Sequence, residues 1–559
     1  MKKQQVVLLS AAAIALLSSC SGKLGALSAD NFSVNPNPLE TQAGEVPATI
    51  NGLFPENYMK KKAVVTVTPE LRYQTTAGMK SVRGTGATFQ GEKVMGNDQT
   101  VSYKTGGRYT MKTSFKYQPE MHKSDLYLTF QAKIGKKTVE VPDVKVATGI
   151  IATSELYKQT LASAQPAMAQ DAFQRVIGQK QEANVKFLIG QAQLRKSELQ
   201  NNSVQEFVRL LSEIAKDQEG KVLDGLEVSA YASPDGGYQL NEKLAGERQK
   251  VTSDYLQKEA KQAQLDTPID TKYTAEDWEG FQELVAASDI QDKDVILRVL
   301  SMYKDPEERE EQIKALSSAF KELADGILPQ LRRARLIANY ELVGRDDDQI
   351  KHQISSDASQ LSIEELLYGA TLYDNDPAAM ENAYKKAVEL YPTDARAYNN
   401  LASLAYLKGN YDEARQWLVK AQRANLNLPE ANANLGLLAL QQGDLSNAEA
   451  LIAKGSTANG VKEVLGNLHL AQGKYVQAEQ DFTGVASNSA ALAQIMNKNY
   501  AAAQQTLKQI KNGDGMTDYL KAVVASRMGK KAEAVSALTA AIAKNPSLRQ
   551  YADSDLELK

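Results

Sequence analysis

Residues 231–256 read YASPDGGYQLNEKLAGERQKVTSDYL, and this stretch decides how the middle of the chain folds. Alternating residues at 226–231 predict a buried strand just before it. A Ser-Pro-Asp-Gly-Gly turn ends the strand, because proline presets φ and glycine permits positive φ. The next residues predict a helix with one apolar face, formed by Leu240, Leu244, Val251 and Tyr255.

Two polar residues of this helix, Asn241 and Arg248, are seven residues apart and therefore point to the same side. A guanidinium offers a two-pronged donor to a carboxylate, so a turn beside this pair can hold a small acidic ligand. In the alternative interpretation, Asn241 braces the turn and Arg248 is a solvated helix residue.

The pattern resembles the OmpA-like peptidoglycan-binding domain, in which a turn aspartate is followed by Asn, Leu and Arg at fixed spacing. Asn241, Leu244 and Arg248 fall on matching positions, whereas Ser233 occupies the aspartate position and Asp235 is the nearest acid. The resemblance implies an α/β domain that clamps the diaminopimelate of the peptidoglycan stem peptide. The resemblance makes four residues candidates for wall binding: Ser233, Asp235, Asn241 and Arg248. Because Ser233 replaces the family's aspartate, the acidic half of the clamp is missing.

The C-terminal part of the chain contains an internal repeat. Lys408-Gly409-Asn410-Tyr411 recurs as Gln442-Gly443-Asp444-Leu445 and again as Gln472-Gly473-Lys474-Tyr475. Each unit has a small residue in the helix before the glycine turn and another in the helix after it, which suits helices that approach closely. A large residue four positions after the second small residue fills the contact between the two helices. The pattern resembles the tetratricopeptide repeat, and five or six units imply a solenoid with one concave face that binds protein partners.

Asparagines lie on the predicted inner helices of this solenoid. Asn399 and Asn432, with their neighbours Asn400 and Asn434, are candidates to line the groove and bind a peptide backbone. A purely structural role for these asparagines is the alternative.

The N-terminal residues predict a secretory signal: Lys2 and Lys3, an apolar run at 6–17, and Leu17-Ser18-Ser19-Cys20. The ending resembles a bacterial lipobox, which implies acylation of Cys20; a cleaved signal with an incidental cysteine is the alternative. Residues 21–23 carry no acid. The N-terminal sequence thus resembles that of bacterial, Bacteroidetes-like lipoproteins. This resemblance implies an outer-membrane lipoprotein that faces the periplasm, and display on the cell surface is the alternative.

Taken together, these patterns predict a multidomain fold: an N-terminal β-sandwich, a central α/β OmpA-like domain with a helical insertion, and a C-terminal all-α solenoid. The expected divisions are a signal peptide (1–19), a tether (20–60), the β-sandwich (61–148), a helical connector (149–182), the OmpA-like domain (183–343, insertion about 276–325), a linker (344–360), the solenoid (361–548) and a tail (549–559). Strict apolar–polar alternation at 109–117 and 126–134 indicates the sandwich strands.

The composition and the motif content restrict the classes of function that the sequence allows. The net charge of −3 gives no indication of nucleic-acid binding, and one cysteine with three scattered histidines predicts no metal site. No catalytic motif or cofactor fingerprint is present. The sequence therefore predicts a non-enzymatic cell-envelope adaptor with lipid, wall and protein contacts; the alternative is a protein-assembly scaffold whose OmpA-like domain no longer binds peptidoglycan, as an accessory of secretion or of a surface appendage.

Replacing Cys20 tests the anchor. Acyl chains contribute about 0.8 kcal/mol per buried methylene, so several chains hold a protein stably on a membrane. Cys20→Ala should release the protein from the membrane fraction or block its processing, as seen by fractionation and mass spectrometry. A variant that is processed normally and still partitions into detergent would exclude lipoprotein anchoring.

Overall fold

The computed structural model describes residues 23–290, 292–315 and 321–559. Cys20 and the predicted signal lie outside these residues. The chain divides into two compact units, one made of the residues up to 170 together with 373–559 and the other of 171–372. No helix among the described residues is long and apolar enough to cross a membrane.

The first unit begins with a β-sandwich. Its strands are β1 (Phe32–Asn35), β2 (Leu39–Glu40), β3 (Glu45–Phe54), β4 (Ala63–Thr75), β5 (Gly78–Arg83), β6 (Ala87–Gly91), β7 (Gln99–Val101), β8 (Gly107–Lys116), β9 (Ser124–Ile134), β10 (Lys137–Val139) and β11 (Val144–Ile151). One sheet has the order β1-β3-β8, and the other has the order β2-β11-β9-β4-β6-β7, with β10 beside β9 and β5 beside β4. Both sheets contribute to one apolar core.

The expected tether at 20–60 is wrong over much of its length, because β1 to β3 belong to the sandwich. β3 pairs with β8 along ten residues. Its apolar side chains alternate, with Val46, Ala48, Ile50 and Phe54 buried. This period of two was visible in the sequence, but the prolines and asparagines before it favoured a tether.

The expected helical connector at 149–182 is also wrong. After β11 the chain makes short turns, including the four-residue helix α1 (Tyr157–Thr160), and then runs extended to β12 (Val176–Lys186). Alanine and glutamine favour helices in isolation. Pro166 removes a helical donor, and tertiary contacts described below take the place of helical hydrogen bonds.

The second unit contains a four-stranded mixed sheet. Its strands are β12, β13 (Lys221–Tyr231), β14 (Ile269–Thr274) and β15 (Arg333–Val343), in the order β12-β15-β13-β14. β15 is antiparallel to both neighbours, and β14 is parallel to β13. The helices α2 (Lys196–Leu199), α3 (Asn202–Lys216) and α4 (Tyr238–Gln262) follow the first two strands, and α3 and α4 add side chains to the core of this sheet.

The predicted face of the motif helix, α4, is rotated. Leu240 is exposed, and the buried positions are Asn241, Leu244, Ala245, Arg248, Thr252, Leu256 and Ala260. Asn241 and Arg248 therefore lie on the face that packs inward, and this excludes the solvated alternative for Arg248.

The predicted insertion is helical and has its own core. It contains α5 (Trp278–Ala286), α6 (Lys293–Met302), α7 (Pro306–Ala315), a π-helical turn (Leu323–Ile327) and α8 (Leu328–Leu331). Phe281, Val285, Ile296 and Leu331 are among its buried residues. The linker expected at 344–360 is wrong, because α9 (Asp347–Ser356) fills most of it. Asp346 caps this helix, and Ile350 and Ile354 are buried.

Helices make up the rest of the chain. They are α10 (Ile363–Thr371), α11 (Pro377–Leu390), α12 (Ala395–Leu407), α13 (Tyr411–Ala424), α14 (Pro429–Gln441), α15 (Leu445–Lys454), α16 (Val461–Ala471), α17 (Tyr475–Asp481), α18 (Asn488–Met496), α19 (Tyr500–Gln509), α20 (Gly515–Arg527), α21 (Lys531–Lys544) and α22 (Leu548–Ala552). The expected tail is partly wrong, since Asp555 within it is buried and accepts a hydrogen bond from Tyr519.

The glycines act as the repeat pattern predicts. Gly409, Gly443 and Gly473 have positive φ at the turns between paired helices. Gly436 lies where α14 and α15 meet, and a Cβ added there would lie 2.4 Å from Ile452 Cγ1. Gly466 faces the Phe482 ring in the same way, at 2.6 Å.

Gly436→Leu should therefore overpack this helix pair and lower its stability by about 1–3 kcal/mol. Gly246→Leu is the matched control, because Gly246 is also helical but has no neighbouring heavy atom within 4 Å of an added Cβ. Hydrogen exchange of α14 and α15, together with thermal unfolding, measures the difference. Equal protection in both variants would show that the helix pairing is wrong.

Candidate functional site

The concave face of the solenoid is lined by polar side chains from its inner helices. Asn400 on α12 and Asn434 on α14 occupy the same place in successive repeats, 34 residues apart. Both are buried, as is Asn399. The groove that they line is filled by residues 152–170 of the same chain, here called the groove segment.

Two asparagines each hold one residue of the groove segment by its backbone. Asn434 accepts from the Ala167 N–H at 2.7 Å and donates to the Ala167 carbonyl at 2.8 Å. Asn400 does the same for Ala169, at 2.8 and 2.9 Å. Alternate residues of an extended chain point the same way, so one clamp per repeat follows every second residue of the segment.

The same register continues one repeat further along the groove. The backbone of Gln165, two residues before Ala167, hydrogen-bonds to the Glu463 carboxyl on α16. Burial raises the pKa of Glu463 to about 7, although this hydrogen bond and one from Ser487 act in the opposite direction. Among the described residues no cation pairs with Glu463, so a carboxyl without a cationic partner is held inside the groove.

Apolar and hydroxyl contacts hold the rest of the groove segment. Leu156, Tyr157, Leu161, Ala164 and Ala167 join the apolar core of the solenoid. Tyr406 donates to the Leu161 carbonyl at 2.7 Å, and Ser489 donates to the Thr160 hydroxyl at 2.9 Å.

The two asparagines singled out by the sequence behave differently. Asn399 donates to the Ala167 carbonyl at 3.0 Å and so contacts peptide backbone. Asn432 instead donates to the carbonyls of Leu426 and Leu428, within its own repeat. Sequence reasoning missed the groove segment itself and Glu463. Pro166 disfavours a helix and is the feature of the sequence that could have indicated an extended segment there.

The turn after β13 forms a second polar cluster, in the second unit. Ser233 donates to Asp235, and Arg332 donates to Ser233 Oγ at 3.1 Å and to Asp235 Oδ2 at 2.9 Å. Asn241 donates to the Gly236 carbonyl at 2.7 Å and braces the turn. Arg332, which pairs with the acid, directly precedes β15.

Arg248 lies behind this turn and is 1% exposed. Its guanidinium donates to three backbone carbonyls: Gln191 at 3.0 Å, Tyr231 at 2.9 Å and Leu188 at 3.4 Å. Burial, and then the charge of Arg332, lower the Arg248 pKa to about 10. The four candidate wall-binding residues thus lie around one turn, and Arg248 is covered by the chain itself.

Asp277, just before the insertion, is paired as well. It accepts from Arg333 at 3.2 Å and caps α5 through the Gly280 N–H at 2.9 Å. Among the residues that the structure describes, no group of three or more His, Cys, Asp or Glu side chains could hold a metal ion. Geometry thus gives a backbone-binding groove in one unit and a closed ionic cluster in the other.

The helix pairs and the groove define a repeat solenoid. A family model described as tetratricopeptide repeat matches residues 383–416. The C-terminal region therefore contains tetratricopeptide repeats, which suggest a scaffold for protein–protein interaction. No curated protein matches this chain.

Solved structures of low identity are similar to parts of the chain. PilF of Pseudomonas aeruginosa is 18% identical over 38% of this chain and 97% of that one, with a TM-score of 0.26. A tetratricopeptide repeat protein from Parabacteroides merdae is 16% identical over 44% and 98%, with a TM-score of 0.27. Cut9–Hcn1 of the APC/C is 14% identical over 57% and 76%, with a TM-score of 0.31.

Glu463→Gln tests the electrostatics of the groove. The folded pKa of about 7 exceeds the ordinary value of 4.5. The uncharged carboxyl therefore favours the folded groove, and this contribution is complete below pH 4.5 and is lost as the pH rises through about 7. The shift corresponds to roughly 3 kcal/mol.

Urea unfolding of the wild type and of Glu463→Gln, at intervals from pH 4 to 8, measures this loss. The glutamine variant, which is neutral throughout, should become relatively more stable as the pH rises. Parallel pH profiles for the two proteins would contradict a buried, titrating Glu463.

Proposed function

We propose that the protein is a non-enzymatic scaffold of the bacterial cell envelope, anchored to the outer membrane through Cys20 and facing the periplasm. One observation carries the scaffold role: the repeats form a groove whose asparagines bind peptide backbone at Ala167 and Ala169. The anchor rests on the lipobox-like sequence, which lies outside the described residues.

We further propose that the central α/β domain is OmpA-like. The order of β12, α3, β13, α4 and β14 along the chain supports this assignment, because the resemblance implies a strand–helix–strand–helix–strand order. The turn between β13 and α4 carries Ser233 and Asp235, and Asn241 and Arg248 follow on α4 at the spacing that the resemblance implies. The helical insertion before β15 is a departure from the compact family.

Of the two roles open to this domain, the geometry favours assembly without wall binding. A stem peptide needs a free arginine for its carboxylate and a free acid for its amine. Arg248 is buried against three backbone carbonyls, and Asp235 is already paired with Arg332. Ligand binding would have to break these contacts, so we assign the domain a structural role in the scaffold.

Co-sedimentation with purified sacculi tests this assignment. The intact, detergent-solubilised protein should stay in the supernatant. Ser233→Asp restores the family's acid and shows whether the arginine can still be recruited. Wild-type protein that sediments, and loses this property in Asp235→Asn while its melting temperature is kept, would establish the wall-binding adaptor instead.

Cross-linking in intact cells tests the scaffold role. The full chain should give discrete cross-linked species with other envelope proteins, and Cys20→Ala should lose them together with membrane attachment. A chain that cross-links to no protein, although it is correctly localised, would contradict a scaffold.

A further inference from the structure

We infer that the groove is a binding site for an extended segment of another protein, and that residues 152–170 occupy it as an intramolecular competitor. The inference rests on the proposed scaffold function, because it names the class of partner that the repeats take. The partner is a peptide with small side chains at alternate positions, whose backbone the asparagines read.

The bound segment defines this chemistry. Each clamp uses both the N–H and the carbonyl of one residue, so the asparagines recognise the backbone of the bound segment. The side chains of Ala167 and Ala169 are buried, which excludes bulky residues there. Pro166, directly before the first clamped residue, has no N–H to satisfy, and Leu161 fills an apolar site six residues before Ala167.

The groove segment leaves a polar group of the site unmet. Asn467 Oδ1, on α16 one turn after Glu463, is a buried acceptor without a hydrogen-bond partner among the described residues. Asn467 is 1% exposed. An occupant with a donor beside Asn467 would satisfy an acceptor that the groove segment does not, and this difference favours exchange of the groove segment for another ligand.

Covalent attachment explains how an imperfect ligand keeps its place. The groove segment follows β11 directly, and the sandwich and the solenoid belong to the same compact unit. A short tether of this kind gives an effective concentration on the order of 1 mM. A free peptide with a micromolar intrinsic affinity would therefore bind the intact chain about 10³-fold more weakly than it binds an open groove.

Two variants of the full chain open the groove in different ways. Ala167→Asp with Ala169→Asp places charges where small apolar side chains are buried. Replacing residues 160–170 by a Gly–Ser run of equal length removes the contacts without adding a clash. Circular dichroism of each variant shows whether the solenoid helices persist.

A fluorescein-labelled peptide with the sequence of residues 158–171 is the probe, and fluorescence anisotropy measures its binding. The opened chains should bind it at least ~100-fold more tightly than the wild type does. Asn400→Ala or Asn434→Ala in the opened background should abolish binding. Asn432→Ala is the matched control and should preserve it, because Asn432 does not contact the groove segment. A peptide with A167W should not bind.

Three results would overturn the inference. The first is a folded, opened chain that does not bind the peptide. The second is loss of helical structure in both opened chains, which would make the groove segment a permanent part of the core. The third is a dimeric wild type by light scattering that becomes monomeric when opened, which would assign the groove to a second copy. None of these measurements involves membranes or sacculi, so their outcome is independent of the tests of the proposed envelope scaffold.

Discussion

A buried peptide backbone must have its N–H and carbonyl groups paired, and this constraint shapes the first unit. Residues 164–169 run through the solenoid without belonging to a helix or a sheet of their own. Side chains must therefore supply the missing partners, and asparagine is suited to this because its amide carries both a donor and an acceptor. The spacing of successive repeats then sets which residues of the segment are held: Asn434 holds Ala167 and Asn400 holds Ala169, two residues further along.

The same constraint appears in the α/β domain with a different donor. Where the chain leaves β12 and β13, the carbonyls of Leu188, Gln191 and Tyr231 converge, and the Arg248 guanidinium serves all three. A cation buried among carbonyls is costly, and the lowered pKa of Arg248 reflects that cost. Asp235 does not offset it directly, since its carboxylate pairs with Arg332. An arginine that the motif marks as a ligand contact is thus required by the local fold.

Sequence reasoning succeeded where the signal is local and periodic. The 34-residue repeat, the positive-φ glycines and the close contact of Gly436 with Ile452 all follow from spacing. It failed where tertiary contacts override propensity. The Ala- and Gln-rich segment at 149–182 is extended because the clamps of Asn400 and Asn434 are non-local, from residues more than 200 positions away. The rotated face of α4 has a similar origin, because its buried positions include Asn241, Arg248 and Thr252, which the spacing of apolar residues does not mark.

The two candidate sites differ in what a ligand would have to displace. At Arg248 the covering carbonyls come from the ends of the domain's own strands, so an incoming carboxylate would break contacts that hold the sheet ends together. In the groove, the backbone hydrogen bonds of Ala167 and Ala169 go to solenoid side chains, whereas the earlier part of the segment also bonds to the sandwich through Ser154 and Glu155. An incoming extended peptide could reproduce the hydrogen bonds of Ala167 and Ala169 in kind. Displacing the groove segment therefore costs less free energy than displacing the carbonyls that cover Arg248. The groove is the part of this protein that is suited to a second occupant.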